Sequence, residues 1–419
     1  MRRMMIGGFA ESLPELKRSE LVSKSYRFEL ITPMFGGDVK SFEINERTPI
    51  RSQSIKGQLR FWWRTMQGFT SKDDLLKTET KIWGGSLAGE KCQSKVKVSV
   101  TEFKNLAVCP IEKGYDRNGN PRRIDSPLLA PYVLFPALKI ENVKLLSKAS
   151  FTLTVTCPQN IADDVKNTIA LWTLFGGVGG RTRRGCGSVY SEEVLNDVGI
   201  ASIADVKNLI SKIGAGGSGE LPYARIKGAK LFFSKANGSI RELQKKYGDY
   251  RQDRKPAPPG TNHPGRSYWP EPDAIRRILR KNAQLHEPEH PDGNWFPRAA
   301  FGLPVMTHYN TSEKGRGDPE GTIKLEPADK IGGKNAQRWP SPYFIKQLKL
   351  KNELFNVMFF LNQKFPTGLL LDGRIVPPSG LPSNTQGKKM NTNPSKPEYR
   401  LNGRTITKAL ADALGMEEA

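Results

Sequence analysis

At 419 residues the chain is too long for one small core, so two domains are expected. Lys and Arg number 65 against 42 Asp and Glu, a formal charge of +23, which directs a folded chain toward nucleic acid first. A mean hydropathy of −0.52 and the lack of a long apolar run exclude membrane-spanning helices. The opening MRRMMIGGFAESLPEL has too short and broken an apolar run for a signal peptide, so a cytoplasmic chain is expected.

In chain order, SYRFELIT (25–32) alternates Tyr26, Phe28 and Leu30 with charged residues and reads as a half-buried strand. SIKGQLRFWWRTMQG (54–68) places Ile55, Leu59, Trp62, Trp63 and Met66 on one helical face, with Ser54 as its cap. KVKVSVT (95–101) and SFTLTVT (150–156) alternate again. NIADDVKNTIALWTLF (160–175) puts Ile161, Val165, Ile169 and Trp172 on one helical face, with Asp163 and Asp164 in the first turn where the helix dipole favours them. GSVY (187–190) begins another short strand. Strand, helix, strand, strand, helix, strand is the split βαβ, ferredoxin-like succession that RNA recognition motifs also use, an α+β fold.

GAGGSGEL marks a junction near 213–220, so the domains are set at 1–212 and 221–419. Beyond it, 224–234 reads as a strand, 271–283 as a helix opening near Asp273, and 301–309 and 342–352 as strands. The stretches 251–270, 311–337 and 373–400 read as long loops rich in Pro, Gly and Lys.

Two segments carry the charge argument. LFGGVGGRTRRGCGSVY (174–190) gathers Gly176, Gly177, Gly179, Gly180, Gly185 and Gly187 around Arg181, Arg183 and Arg184, with no acid in reach. A tight turn needs one or two such glycines and no arginines. The expectation is a loop whose bare backbone approaches a polyanion, flanked by guanidinium groups. In the first helix Lys56, Arg60 and Arg64 recur every four residues as a cationic stripe, and Gly57 beside them costs about 1 kcal/mol relative to Ala. A small residue there admits a phosphate backbone or a facing helix.

Metal and redox motifs are weak. Cys92, Cys109, Cys157 and Cys186 form no CxxC pair. His286 and His290 are four apart, but prolines 288 and 291 argue against a helix beneath them. No metal and no cofactor is expected.

TPIRSQSIKGQLRFWWR resembles the RAMP signature of CRISPR effector proteins, a helix of pattern S-x-[IL]-[KR]-G-x-[LF]-R after the first strand. GGVGGRTRRGCGS is similar to the glycine-rich loop of that superfamily, which precedes the last strand. With TPMFGGD and FPRAAFGLP the likeness is greatest to subunits of the Cmr, type III-B, complexes, over residues 26–190 and about 294–309. The resemblance implies a pair of ferredoxin-like units in a ribonucleoprotein for antiviral defence. It implies as partners a CRISPR guide RNA, at its 3′ region, target single-stranded RNA and other Cmr RAMP subunits. The residues it turns toward RNA are Gly176, Gly177, Gly179, Gly180, Arg181, Arg183 and Arg184, joined by Lys56, Arg60 and Arg64.

Two alternatives stand beside a non-catalytic RNA-binding subunit. A RAMP endoribonuclease would need a histidine site, yet residues 1–262 hold no histidine. The aspartate that related backbone subunits use would fall nearest Asn45 or Glu46, and Asp38 reads as a turn residue. A purely structural subunit would instead use Phe61, Trp83 and the long loops against neighbouring proteins.

Overall fold

The structure is a computed structural model that describes residues 20–40, 42–87, 89–214, 224–252, 265–281, 294–309, 318–331, 334–363, 365–366, 368–375 and 404–419, together with 254, 256, 259, 260, 288 and 290. Strand β1 (Leu21–Leu30) buries Tyr26 and Phe28 on one face, and the short strand β2 (Met34–Phe35) follows. Helix α1 (Ser52–Met66) buries Ile55, Leu59, Trp62 and Trp63, the face read from the sequence. Its N-cap is Arg51 rather than Ser54, with no side-chain cap bond. Helix α2 (Lys72–Trp83), which the sequence reading passed over, is capped by Ser71, whose side chain accepts from the N–H groups of Asp73 and Asp74.

Strand β3 (Lys97–Pro110), the hairpin β4 (Glu112–Tyr115) and β5 (Pro121–Asp125), helix α3 (Pro131–Leu134) and strand β6 (Lys144–Pro158) come next. Helix α4 (Ala162–Phe175), strand β7 (Val189–Tyr190) and helix α5 (Ile203–Gly214) complete the first half. The four principal strands lie side by side as β7–β1–β6–β3, all antiparallel, with β2 beside the start of β6.

The second half repeats the plan with β8 (Arg225–Lys235), α6 (Ile240–Gln252), β9 (Tyr343–Leu350), β10 (Glu353–Asn362), α7 (Ile406–Leu414) and β11 (Glu417–Glu418). Its strands lie as β9–β10–β8–β11, again antiparallel. Both sheets therefore set their fourth, first, third and second strands side by side. Outside this plan the chain adds a small sheet that includes Val305–His308 and Thr322–Pro327, between α6 and β9, and Leu369–Leu371, after β10. Part of the stretch 311–337 expected as loop is thus strand. The helix expected at 271–283 is shorter, Glu271–Ile278. The junction at 215–220 and the stretch 376–400 lie outside the described residues.

From Thr168 to Phe175 every residue of helix α4 is buried, and the packing gives the reason. Val165, Ile169 and Trp172 share a core with Phe28 and Phe151 of the first sheet, while Phe175 stacks at 3.9 Å on Phe359 of β10. Trp62 of α1 likewise reaches Phe344 of β9, at 5.2 Å. The layers run sheet, helices, sheet, helices: the far face of the second sheet, with Phe232, Tyr343 and Met358, packs on Leu243 and Tyr247 of α6 and Leu410 of α7. Lys346 of β9 lies buried in the middle seam and donates to the carbonyls of Thr173 (2.9 Å) and Gly176 (3.1 Å) at the C-terminus of α4. Burial pulls its pKa down to about 7.

Candidate nucleic-acid interface

The glycine-rich loop lies in that same seam, between strands of both sheets. Gly180 N–H donates to the Phe35 carbonyl (2.7 Å) and Gly187 N–H to the Pro33 carbonyl (2.9 Å), while Ile345 N–H of β9 donates to the Arg183 carbonyl (3.2 Å). Main chain on both sides leaves no room for side chains. A Cβ on Gly187, whose φ is +65°, would stand 1.9 Å from the Val178 carbonyl oxygen. One on Gly179, φ +77°, would stand 2.5 Å from the Met34 side chain and 2.8 Å from the Gly36 oxygen. Gly176 would strike Trp172 at 2.4 Å, Gly177 the Gly187 oxygen at 2.5 Å, and Gly180 the Phe35 oxygen at 3.0 Å. The steric reason for these glycines is the protein's own backbone and core, where the sequence reading had placed an approaching polyanion.

The three arginines diverge from this frame. Arg181, itself at positive φ, is exposed at the tip. Arg183 lies over the rings of Phe344 (4.6 Å) and Phe61 (5.4 Å) and donates to the Ser341 carbonyl. Burial, followed by the neighbouring Arg184, pushes its pKa down to about 10. Arg184 lies over Tyr247 (4.5 Å) and donates to Phe301 O (3.4 Å), and its Nη1 is buried with no partner. Arg251 of α6 lies against the same Tyr247, at 5.7 Å. Among the described residues no carboxylate pairs with any of these four arginines.

The stripe on α1 is different. Arg60 Nε meets Glu79 Oε1 at 2.7 Å and Arg64 Nη1 meets it at 3.3 Å, and Glu79 on α2 is buried. Two of the three expected free cations are therefore the partners of one buried acid. Lys56 has no acidic partner among the described residues, and burial together with Arg60 lowers its pKa. Beside it Gly57 is exposed, and a Cβ there would meet nothing within 4 Å. No facing helix explains this glycine.

Arg181 lines an open cleft of about 860 Å³. Its walls are Arg122 and Arg123 of the β4–β5 hairpin and Arg241, Lys245 and Arg254 from α6 and the chain after it; its floor includes Ile124, Ala130, Pro131 and Leu138. The cleft depends on a close approach: a Cβ on Gly248 of α6 would come within 3.0 Å of Tyr132. The sequence reading missed all five of these cations. The Asn118-Gly119 turn signal and the spacing of Ile240, Leu243, Tyr247 and Tyr250 would have announced the hairpin and helix that carry them.

The polar residues before α1 are engaged locally or with β6, Glu43 with Lys40 at 3.6 Å. Asp38 accepts from Val39 N–H (2.7 Å), Asn45 from the N–H groups of Arg47 and Thr48 (3.0 Å each), and Glu46 pairs with Lys144 at 2.6 Å. Among the described residues no group of three or more His, Cys, Asp or Glu could hold a metal ion. His286 lies outside the described residues, and His290 is buried, its N–H donating to Asp273. No helix of the described residues is long and apolar enough to cross a membrane.

Against known families, residues 27–190 match the model of the RAMP superfamily. This stretch is similar to the RAMP superfamily. It contains the end of β1, the tryptophan-bearing α1, α4 and the glycine loop, so both signature segments fall inside it. The CRISPR system Cmr subunit Cmr1-1 of Pyrococcus furiosus is 28% identical over 192 residues, 40% of this chain and 50% of that protein. The match thus spans half the length of that relative. The crystal structure of Cmr1 from Pyrococcus furiosus in its apo form is similar at TM-score 0.44, with 17% identity over 82% of this chain and 88% of that one. A type III-B Cmr-beta complex bound to cognate target RNA and AMPPnP contains a chain similar at TM-score 0.46, with 12% identity over 94% of this chain and 99% of that one.

Proposed function

We propose that this protein is an RNA-binding, non-catalytic subunit of a type III-B CRISPR effector ribonucleoprotein, resembling the first Cmr subunit and holding guide RNA, target RNA or both. The observation that carries the reading is Arg181, exposed on the loop of a RAMP-like stretch, with no carboxylate partner among the described residues, lining an open cleft of six cations against two carboxylates. A guanidinium free of carboxylates can bind phosphate bidentately. In this reading both units are ferredoxin-like, since each runs β-α-β-β-α-β with the same strand order, and the boundary falls between 212 and 221. The partners are the RNA strands and neighbouring RAMP subunits, and the complex is cytoplasmic.

Arg181 and Lys56, beside the open Gly57, are the proposed contacts; Arg183 and Arg184 brace the loop that presents Arg181. The engagement of Asp38 in its own turn, of Glu43 with Lys40 and of Glu46 with Lys144 supports the non-catalytic reading. The test is recovery of the chain from its host followed by sequencing of the RNA it carries. Short repeat-derived RNAs support the reading; a chain free of RNA contradicts it. Added single-stranded RNA should stay intact with Mg²⁺ or Mn²⁺, and cleavage lost in Asp38→Ala would contradict the non-catalytic assignment.

A further inference from the structure

Phe135 is exposed to 66% although its neighbours Leu134 and Ala137 are fully buried. It stands at the joint between α3 and the following turn of 3₁₀ helix, with Pro136 fixing the backbone after it. The ring lies on the lip of the Arg181 cleft, where no core receives it. Six cationic side chains line that cleft against two carboxylates, Asp125 and Asp249. Asp125 is shared by Arg123 (2.8 Å) and Arg241 (3.1 Å), and Asp116 of the hairpin meets Arg122 at 2.9 Å. Arg122 and Arg123 are themselves exposed and keep guanidinium donors beyond these pairs, while the half-buried Arg241 also donates Nε to the Ser126 carbonyl (2.9 Å) and keeps Nη1. Arg181 comes from the glycine loop, Arg241 and Lys245 from α6, and Arg122 and Arg123 from the hairpin, so three elements set their charges around one space.

We propose that this cleft is the seat of an unpaired RNA segment, with one base laid on the Phe135 ring and the adjoining phosphates held by Arg181, Arg241 and the hairpin arginines. The inference rests on the RNA-binding reading and adds where and in which form the RNA is held. A flat exposed ring beside converging cations is the pairing that single strands use, because only an unstacked base offers its face. An A-form duplex keeps its bases stacked and offers phosphates alone. An acidic protein segment would satisfy the charges and leave the ring without a use.

The experiment measures affinity of the full chain for a labelled, unstructured oligouridine and for a blunt RNA duplex, across a salt series, with polyglutamate as a competitor. Phe135→Ala should weaken single-strand binding roughly tenfold or more and leave the salt slope and the melting temperature unchanged; Phe135→Trp should restore it. Arg181→Ala should instead flatten the log–log salt slope by about 0.7. Wild-type RNA binding that Phe135→Ala leaves untouched would overturn the inference while the RNA-binding reading stands. Equal loss for duplex and single strand, or displacement of RNA by polyglutamate as effective as by RNA itself, would overturn it too. If the wild type binds neither RNA, the functional reading fails and this inference with it.

Discussion

The glycine loop and helix α1 look alike in sequence, each a glycine set among cations, but they differ in what surrounds them. At 176–187 every missing Cβ among the proposed site glycines faces protein atoms; at Gly57 the space is open. The charges diverge as well. Among the described residues the loop arginines have no acidic partner, whereas Arg60 and Arg64 are held by Glu79. Glycine beside arginine therefore marks two situations, close backbone packing and accessible surface, and only the three-dimensional neighbours separate them.

The sharpest way to break this comparison is to fill the loop. Gly187→Val sets a side chain where even Cβ meets the Val178 oxygen at 1.9 Å, at a φ of +65°. We expect loss of soluble folded protein, read by circular dichroism and yield; a normally folded variant would show that the loop is not packed as described. Trp62→Ala comes next, because Trp62 sits among Phe175, Phe344 and Phe359 in the core shared by both sheets. A loss of about 3–5 kcal/mol in denaturant unfolding is expected, with both sheets unfolding in one transition.

Lys346 sharpens the account of the seam. Its pKa near 7, against about 10.5 unfolded, means that the folded chain binds fewer protons between those values. Wild-type stability should therefore rise with pH relative to Lys346→Met, by up to about 1.4 kcal/mol per pH unit from about pH 7 toward 10. Parallel pH profiles would show that Lys346 stays solvated. The smallest effect belongs to α1: Gly57→Ala should raise stability by about 1 kcal/mol, since the added methyl meets nothing. If the same variant binds RNA more weakly, Gly57 is kept for contact; unchanged binding would remove α1 from the interface.

Much of the first sheet was legible because its strands bury one face, as Tyr26 and Phe28 show, and because α1 carries a clean apolar stripe. The second helical face of α4, Leu171, Leu174 and Phe175, was also present in the sequence. Its meaning was not legible, since it packs toward a sheet whose nearest strand in this core comes some fifty residues later. The site was half legible. Arg181 could be named from its loop, but the absence of a counter-charge there and its presence at Arg60 depend on residues far along the chain. The cleft cations come from a hairpin and a helix that were each missed, so their convergence could not be read.

The central claim divides the loop: its glycines serve the fold and its exposed arginine serves RNA. Gly179→Val and Arg181→Ala, measured side by side for melting temperature and for single-stranded RNA affinity across salt, test it directly. The account predicts that Gly179→Val lowers the melting temperature, its Cβ lying 2.5 Å from Met34, while Arg181→Ala keeps the melting temperature and flattens the salt slope. A Gly179→Val protein that melts like wild type but fails to bind RNA, or an Arg181→Ala protein that binds with wild-type affinity and slope, would contradict it.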